Sequence, residues 1–105
     1  MLIASVKSDY NKGRKHFKNQ KYSKAIAYLH KVYLVYPEYS DIKNLYDDTI
    51  RKLAPIAQRL IGEGNVYEGI GKMDEARKKW NKALQIIPIE SDELHQEAKH
   101  KLSGQ

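Results

Sequence analysis

GRKHFKNQKYSKAIAYLHKVYLVYPEYSD, residues 13–41, lies without a gap over GNVYEGIGKMDEARKKWNKALQIIPIESD, residues 64–92, at an offset of 51. Seven positions are identical: Gly13/Gly64, Lys21/Lys72, Ala25/Ala76, Lys31/Lys82, Pro37/Pro88, Ser40/Ser91 and Asp41/Asp92. A glycine, an alanine and a proline kept in one order and spacing answer to backbone geometry, so the repeat describes how the chain packs. It points to stacked helical units.

Working outward, the periodicity is helical almost throughout. A first helix is expected over about residues 3–19 and a second from about Ser23 to Tyr36. Ala25, Ile26, Leu29, Val32 and Tyr33 share one face of the second. Pro37 stops it, because proline lacks the N–H and pushes the residue before it out of the helical region. Ser40-Asp41 then reads as an N-cap and first turn, where orphan N–H groups favour an acid. Pro88 and Ser91-Asp92 repeat this stop and start, and a last helix follows over about 92–102 with Leu94, Ala98 and Leu102.

Between the copies, Ile42, Tyr46, Leu53, Ile56, Leu60, Gly64 and Tyr67 keep a spacing of three and four, with Thr49 filling one step. The stripe passes Pro55 without losing phase, and no Gly, Asn or Ser near Pro55 offers a turn. A proline inside a helix costs ~3 kcal/mol but is tolerated at kinks. Pro55 falls off the stripe, toward solvent. The favoured reading is one long kinked helix over about 40–70; the alternative is two helices, with Pro55 opening the second.

One domain over residues 1–105 is the expected organisation at this length. With no cysteine, disulfides, thiolate metal sites and cysteine nucleophiles are excluded. That absence fits a reducing, cytoplasmic compartment. The N-terminal stretch has no apolar core of signal-peptide or membrane-span length. The net charge of +6 is carried entirely by the first half: residues 1–54 hold 11 Lys/Arg against 5 Asp/Glu, and residues 55–105 hold 8 of each. Lys7, Lys12, Arg14, Lys15, Lys18, Lys21 and Lys24 form the densest run, broken by Asp9 alone. Such a face suits an acidic peptide, an anionic lipid or a nucleic acid; it also has the plain reading of a solvated lysine-rich surface.

Gly13…Ala25…Pro37 and Gly64…Tyr67…Ala76…Trp80…Ala83…Pro88 resemble the tetratricopeptide repeat, a helix–turn–helix unit with a Gly–aromatic–Ala–aromatic–Ala–Pro signature. In the second copy Leu60 stands at the usual tryptophan. The first is looser, with His16 for the tyrosine, Leu29 for the aromatic and Val32 for the second alanine. Family copies repeat every ~34 residues; the extra ~17 here equal roughly 25 Å of helix. The resemblance implies an all-α chain, a short right-handed α-solenoid. Hairpins over about 6–39 and 57–90 would be joined by the long central helix and capped by about 92–102.

In that family the first helix of each repeat lines a concave groove that binds partner segments. Carried over residue by residue, the groove would present Lys7, Tyr10, Arg14, Phe17 and Lys18, and from the central helix Asn44, Asp48 and Arg51, flanked by Asp41 and Lys52. The implied function is a protein–protein interaction scaffold, part of a larger multidomain protein, taking a peptide or helix of acidic character. The first alternative is an electrostatic binder of nucleic acid or anionic membrane, weakened for nucleic acid by the lack of any known motif. The second is self-association, a homodimer through apolar faces at Leu2, Ile3, Val6, Leu94 and Leu102.

Eight tyrosines are many for 105 residues. Tyr22 and Tyr33 read as core, Tyr28 as ordinary surface, and Tyr36 and Tyr39 as either core edge or contact residues. Gly62, Gly64, Gly69 and Gly71 do not make a phosphate loop, since no strand precedes them and Tyr67 sits where a glycine is needed. His16, His30, His95 and His100 are scattered, no ligand spacing for a metal or cofactor appears, and Ser5, Ser8 and Ser23 lack a nucleophile context. The expectation is therefore no enzyme activity and no cofactor. Trp80, the sole tryptophan, is expected in the core.

Overall fold

The computed structural model describes the backbone of residues 2–104 and the side chains of residues 4–104. The described chain is all-α, with five helices and no strand: α1 (Leu2–Lys18), α2 (Tyr22–Val35), α3 (Ile42–Gly69), α4 (Met73–Ile86) and α5 (Glu93–Ser103). The residues gather into two compact units, Met1–Lys52 and Leu53–Gln105, and the division falls inside α3.

α3 is one helix from Ile42 to Gly69 with Pro55 inside it, about 42 Å long at 1.5 Å per residue. Ile42, Leu45, Thr49, Leu53, Ala57, Leu60, Ile61 and Gly64 are buried along it while the Pro55 ring is exposed. Thr49, the polar step in this stripe, satisfies its hydroxyl by donating to the Leu45 carbonyl at 2.7 Å.

The first unit packs Val6, Tyr10, Ala25, Leu29, Val32, Ile42 and Leu45, with Phe17, Tyr33, Tyr39 and Tyr46 at the edge. The second packs Leu60, Ile61, Ala76, Trp80, Ala83 and Ala98, with Tyr67, Leu94 and Leu102 among its partly buried neighbours. Trp80 is fully buried. Of the residues expected to form an apolar face for self-association, Val6 is buried in the first core, while Leu94 and Leu102 are half-buried against the second. Leu2 and Ile3, the other residues of that face, lie outside the described side chains.

The offset of 51 recurs in the backbone. In the first unit Asn19 N–H donates to the Lys15 and His16 carbonyls, Gln20 N–H to Phe17 and Lys21 N–H to His16; in the second Ile70 donates to Val66 and Tyr67, Gly71 to Glu68 and Lys72 to Tyr67. These bonds close the last helical turn around a residue in the left-handed region. That residue is Gln20 (φ 61°) in one unit and Gly71 (φ 80°) in the other. Lys21 and Lys72 then adopt nearly one conformation, φ −94° with ψ 70° and 71°.

Packing repeats as well. A Cβ built on Gly13 would stand 2.7 Å from Leu29 Cγ, and one built on Gly64 2.6 Å from Trp80 Cδ1. In each hairpin a glycine of the first helix makes room for the large side chain of the second, and the two pairs sit at equivalent positions.

Candidate functional site

On α1, Lys7, Arg14 and Lys18 lie about two turns and one turn apart on a single exposed face. Arg14 and Lys18 line a shallow hollow of about 440 Å³ with Asn11, Lys15 and Asn19. Tyr10 stands elsewhere. It is 6% exposed, its hydroxyl donates to Asp41 Oδ1, and its ring lies 5.3 Å from that of Tyr39. Burial, and then the bond to Asp41, raises the phenol above its ordinary pKa. Its side chain is committed within the unit and leaves no area for a partner. Phe17 is half-buried against the first core and meets Tyr22 edge-on at 5.4 Å.

Asn44, Asp48 and Arg51 are exposed on one face of α3, with Arg51 donating to Asp48. Among the described residues no hydrogen bond or ion pair joins this group to Lys7, Arg14 or Lys18.

A second cluster escaped the sequence reading. Lys12 and Lys31 place their ammonium groups 5.6 and 5.4 Å from the Tyr28 ring centre, and His16 stacks on Tyr28 at 5.6 Å with its Nδ1 buried and lacking a hydrogen-bond partner. His16, Lys24, Ala27, Tyr28 and Lys31 line a hollow of about 530 Å³. Tyr28 is therefore not an ordinary surface ring. The signal was present: Lys24, Tyr28 and Lys31 stand at i, i+4 and i+7 on α2. Of the two undecided tyrosines, Tyr39 packs on the core and Tyr36 is exposed, 5.8 Å from it ring to ring.

The electrostatics of the two units differ at matching positions. In the second, Lys79 pairs with Glu63 at 3.1 Å, Lys101 with Glu68 at 2.9 Å and Lys78 with Glu75 at 3.3 Å. The equivalents of Glu63 and Lys79 are Lys12 and Tyr28; that of Glu75 is Lys24. Among the described residues, no cation of α1 or α2 joins an ion pair; the pair in the first unit is Arg51–Asp48. The fold closes this hairpin with acids in place, so the excess positive charge of the first unit is not a packing requirement.

No group of three or more His, Cys, Asp or Glu among the described residues could hold a metal ion, and no helix of the described residues is long and apolar enough to cross a membrane. No protein-family model, curated protein or solved structure matches the chain.

Proposed function

We propose that this chain is a protein-interaction module of the tetratricopeptide kind, whose first unit receives an acidic segment of a partner protein. The observation that carries the reading is the set of cations on α1 and α2 without acidic partners, against the paired acids at equivalent positions of the second unit. The paired placement of glycine under a large side chain, Gly13 with Leu29 and Gly64 with Trp80, supports the kinship to that repeat. Lys7, Arg14 and Lys18 supply the charge, with Asn11 and Asn19 as amide donors beside them; a carboxylate-rich segment would neutralise ammonium and guanidinium groups that now face water. Asn44, Asp48 and Arg51 remain candidate contacts on α3.

The test is binding of a soluble, glutamate-rich peptide of about twenty residues to wild type and to the triple variant Lys7→Glu/Arg14→Glu/Lys18→Glu, read by fluorescence anisotropy. Single-stranded RNA and anionic vesicles run in parallel. Saturable peptide binding lost in the variant supports the reading. Equal or tighter binding of RNA or vesicles, with affinity falling steeply in salt, transfers the function to polyanion binding, and no binding of any probe removes the basic face from consideration.

A further inference from the structure

The groove between α1 and α2 holds an open hollow of about 530 Å³ lined by His16, Lys24, Ala27, Tyr28 and Lys31. Lys12 reaches the same phenol ring from α1, 5.6 Å from its centre, and Lys31 stands 5.4 Å from it. An aromatic ring attracts each cation, but two ammonium groups at one ring repel each other. Among the described residues neither forms an ion pair. His16 lies nearly parallel to Tyr28, 13° between the planes, and its Nδ1 is buried with no hydrogen-bond partner. The lining is thus cationic and incompletely satisfied.

The second unit shows the same place with its charges balanced. Lys12 and Lys24 correspond to Glu63 and Glu75, and Ala27, Tyr28 and Lys31 to Lys78, Lys79 and Lys82. There Glu63 pairs with Lys79 at 3.1 Å and Glu75 with Lys78 at 3.3 Å. These five positions carry three cations and two acids in the second unit, against three cations and no acid in the first. The hollow over Tyr28 therefore lacks two negative charges that its counterpart contains.

A dianion supplies both at once. A phosphate monoester carries a charge of about −1.5 to −2 at pH 7 and three acceptor oxygens, where a carboxylate carries one charge. The volume far exceeds a phosphate group alone, given the ~30 Å³ share of one water in the liquid. The phosphate therefore arrives on something larger, which can lie over Ala27 along the two turns of α2 from Lys24 to Lys31. A nucleobase fits poorly: it needs an open aromatic face, and Tyr28 already stacks with His16 and carries two ammonium groups.

We propose that this hollow binds the phosphate group of a phosphorylated serine or threonine side chain, held by Lys12, Lys24 and Lys31. That the phosphate comes on a protein rests on the reading of the chain as an interaction module; the charge deficit of the site does not. Lys12 and His16 lie on the flank of α1 opposite Lys7, Arg14 and Lys18 at 3.6 residues per turn, so the two basic faces can be tested apart.

The experiment is fluorescence anisotropy on the full chain with a short, otherwise neutral peptide bearing one phosphoserine, beside the same peptide with serine or glutamate there. The phosphopeptide is expected to bind at least about tenfold tighter than the glutamate peptide. Lys12→Glu/Lys24→Glu installs the acids of the second unit, so it should keep its circular dichroism and lose binding. Lys12→Gln/Lys31→Gln, which adds no acid, should weaken binding about tenfold or more. The Lys7→Glu/Arg14→Glu/Lys18→Glu variant should keep most of it. Equal binding of the phosphoserine and glutamate peptides overturns the proposal, as does binding that survives Lys12→Glu/Lys24→Glu. Loss in the Lys7/Arg14/Lys18 variant alone also overturns it and leaves the acidic-segment reading standing. Inorganic phosphate competing at the peptide's own concentration overturns the assignment to a phosphorylated side chain.

Discussion

Gly64 lies directly under the indole of Trp80, close enough that a methyl group there would stand 2.6 Å from Cδ1. The ring is fully buried, its Nε1 donates to Asn65 Oδ1 at 3.3 Å, and the Lys101 ammonium sits 5.3 Å from its centre. A rigid ring held on several sides has no room to retreat. Gly64→Ala gains up to ~1 kcal/mol in helix propensity but overpacks a filled site at a cost of ~1–3 kcal/mol. We expect a net loss of roughly 1–2 kcal/mol, measured by urea unfolding followed through Trp80 fluorescence. Gly62→Ala, on the same helix with open space around it, should instead gain ~0.5–1 kcal/mol. Equal effects of the two substitutions would remove the packing argument.

Gln20 and Gly71 occupy one left-handed position in two otherwise matching turns. A side chain there carries a backbone penalty of ~1–2 kcal/mol that glycine escapes. Gln20→Gly should therefore raise the thermal midpoint, and Gly71→Gln should lower it by a similar amount, both read by circular dichroism. A fall in midpoint for Gln20→Gly would show that its side chain offsets the strain.

The equivalent aspartates have different partners. Asp92 caps α5, accepting from the N–H groups of Leu94 at 2.9 Å and His95 at 3.4 Å, whereas Asp41 accepts from the Tyr10 hydroxyl. The residue matching Tyr10 is Ile61, which has nothing to donate. Asp92→Ala should cost ~0.5–2 kcal/mol through the lost cap, and Asp92→Asn much less. Near-equal losses in chemical denaturation would show that charge, rather than the cap bonds, holds that helix end.

Burial lowers the pKa of His30, which lies 6.0 Å from the Tyr46 ring, below its ordinary value of 6.5. A folded state that binds the proton less well than the unfolded chain is favoured above pH 6.5 and loses that stabilisation as pH falls through the lowered folded value. Tyr10 has the opposite sign. Its folded pKa is raised above 10.0, so its contribution is intact below pH 10 and is lost as pH rises through the folded value. Thermal midpoints of wild type against His30→Gln should diverge below pH 6.5, and those against Tyr10→Phe above pH 10. Parallel profiles would contradict both assignments.

The helices were readable because their signals are local. Pro37 and Pro88 each follow the end of a helix by two residues, and the alternation of three and four along α3 placed its buried face on both sides of Pro55. Leu45, Ala57 and Ile61 were missed on that face because α3 buries a stripe wider than a single row. The candidate site was less readable. Tyr10 is one turn from Arg14 and was carried into the groove with it, yet that edge of α1 turns inward, to Tyr39 and Asp41. The cluster around Tyr28 joins two helices: the spacing of Lys24, Tyr28 and Lys31 along α2 carries only half of it, and Lys12 and His16 come from α1.

By itself the amino-acid order determined where helices begin and end, which residues are paired by the offset of 51, and that small and large side chains alternate between paired helices. Caps, prolines and periodicity act over a few residues, so their physics is complete in a short stretch of chain. The tertiary structure alone decided which partner each polar group takes. Asp41 binds a phenol 31 residues away while Asp92 caps its own helix, because a hydroxyl reaches one and isoleucine stands in its place at the other. It also decided that α3 continues through Pro55: burial of Leu53, Ala57 and Leu60 around an exposed proline ring offsets the ~3 kcal/mol that the ring costs a helix.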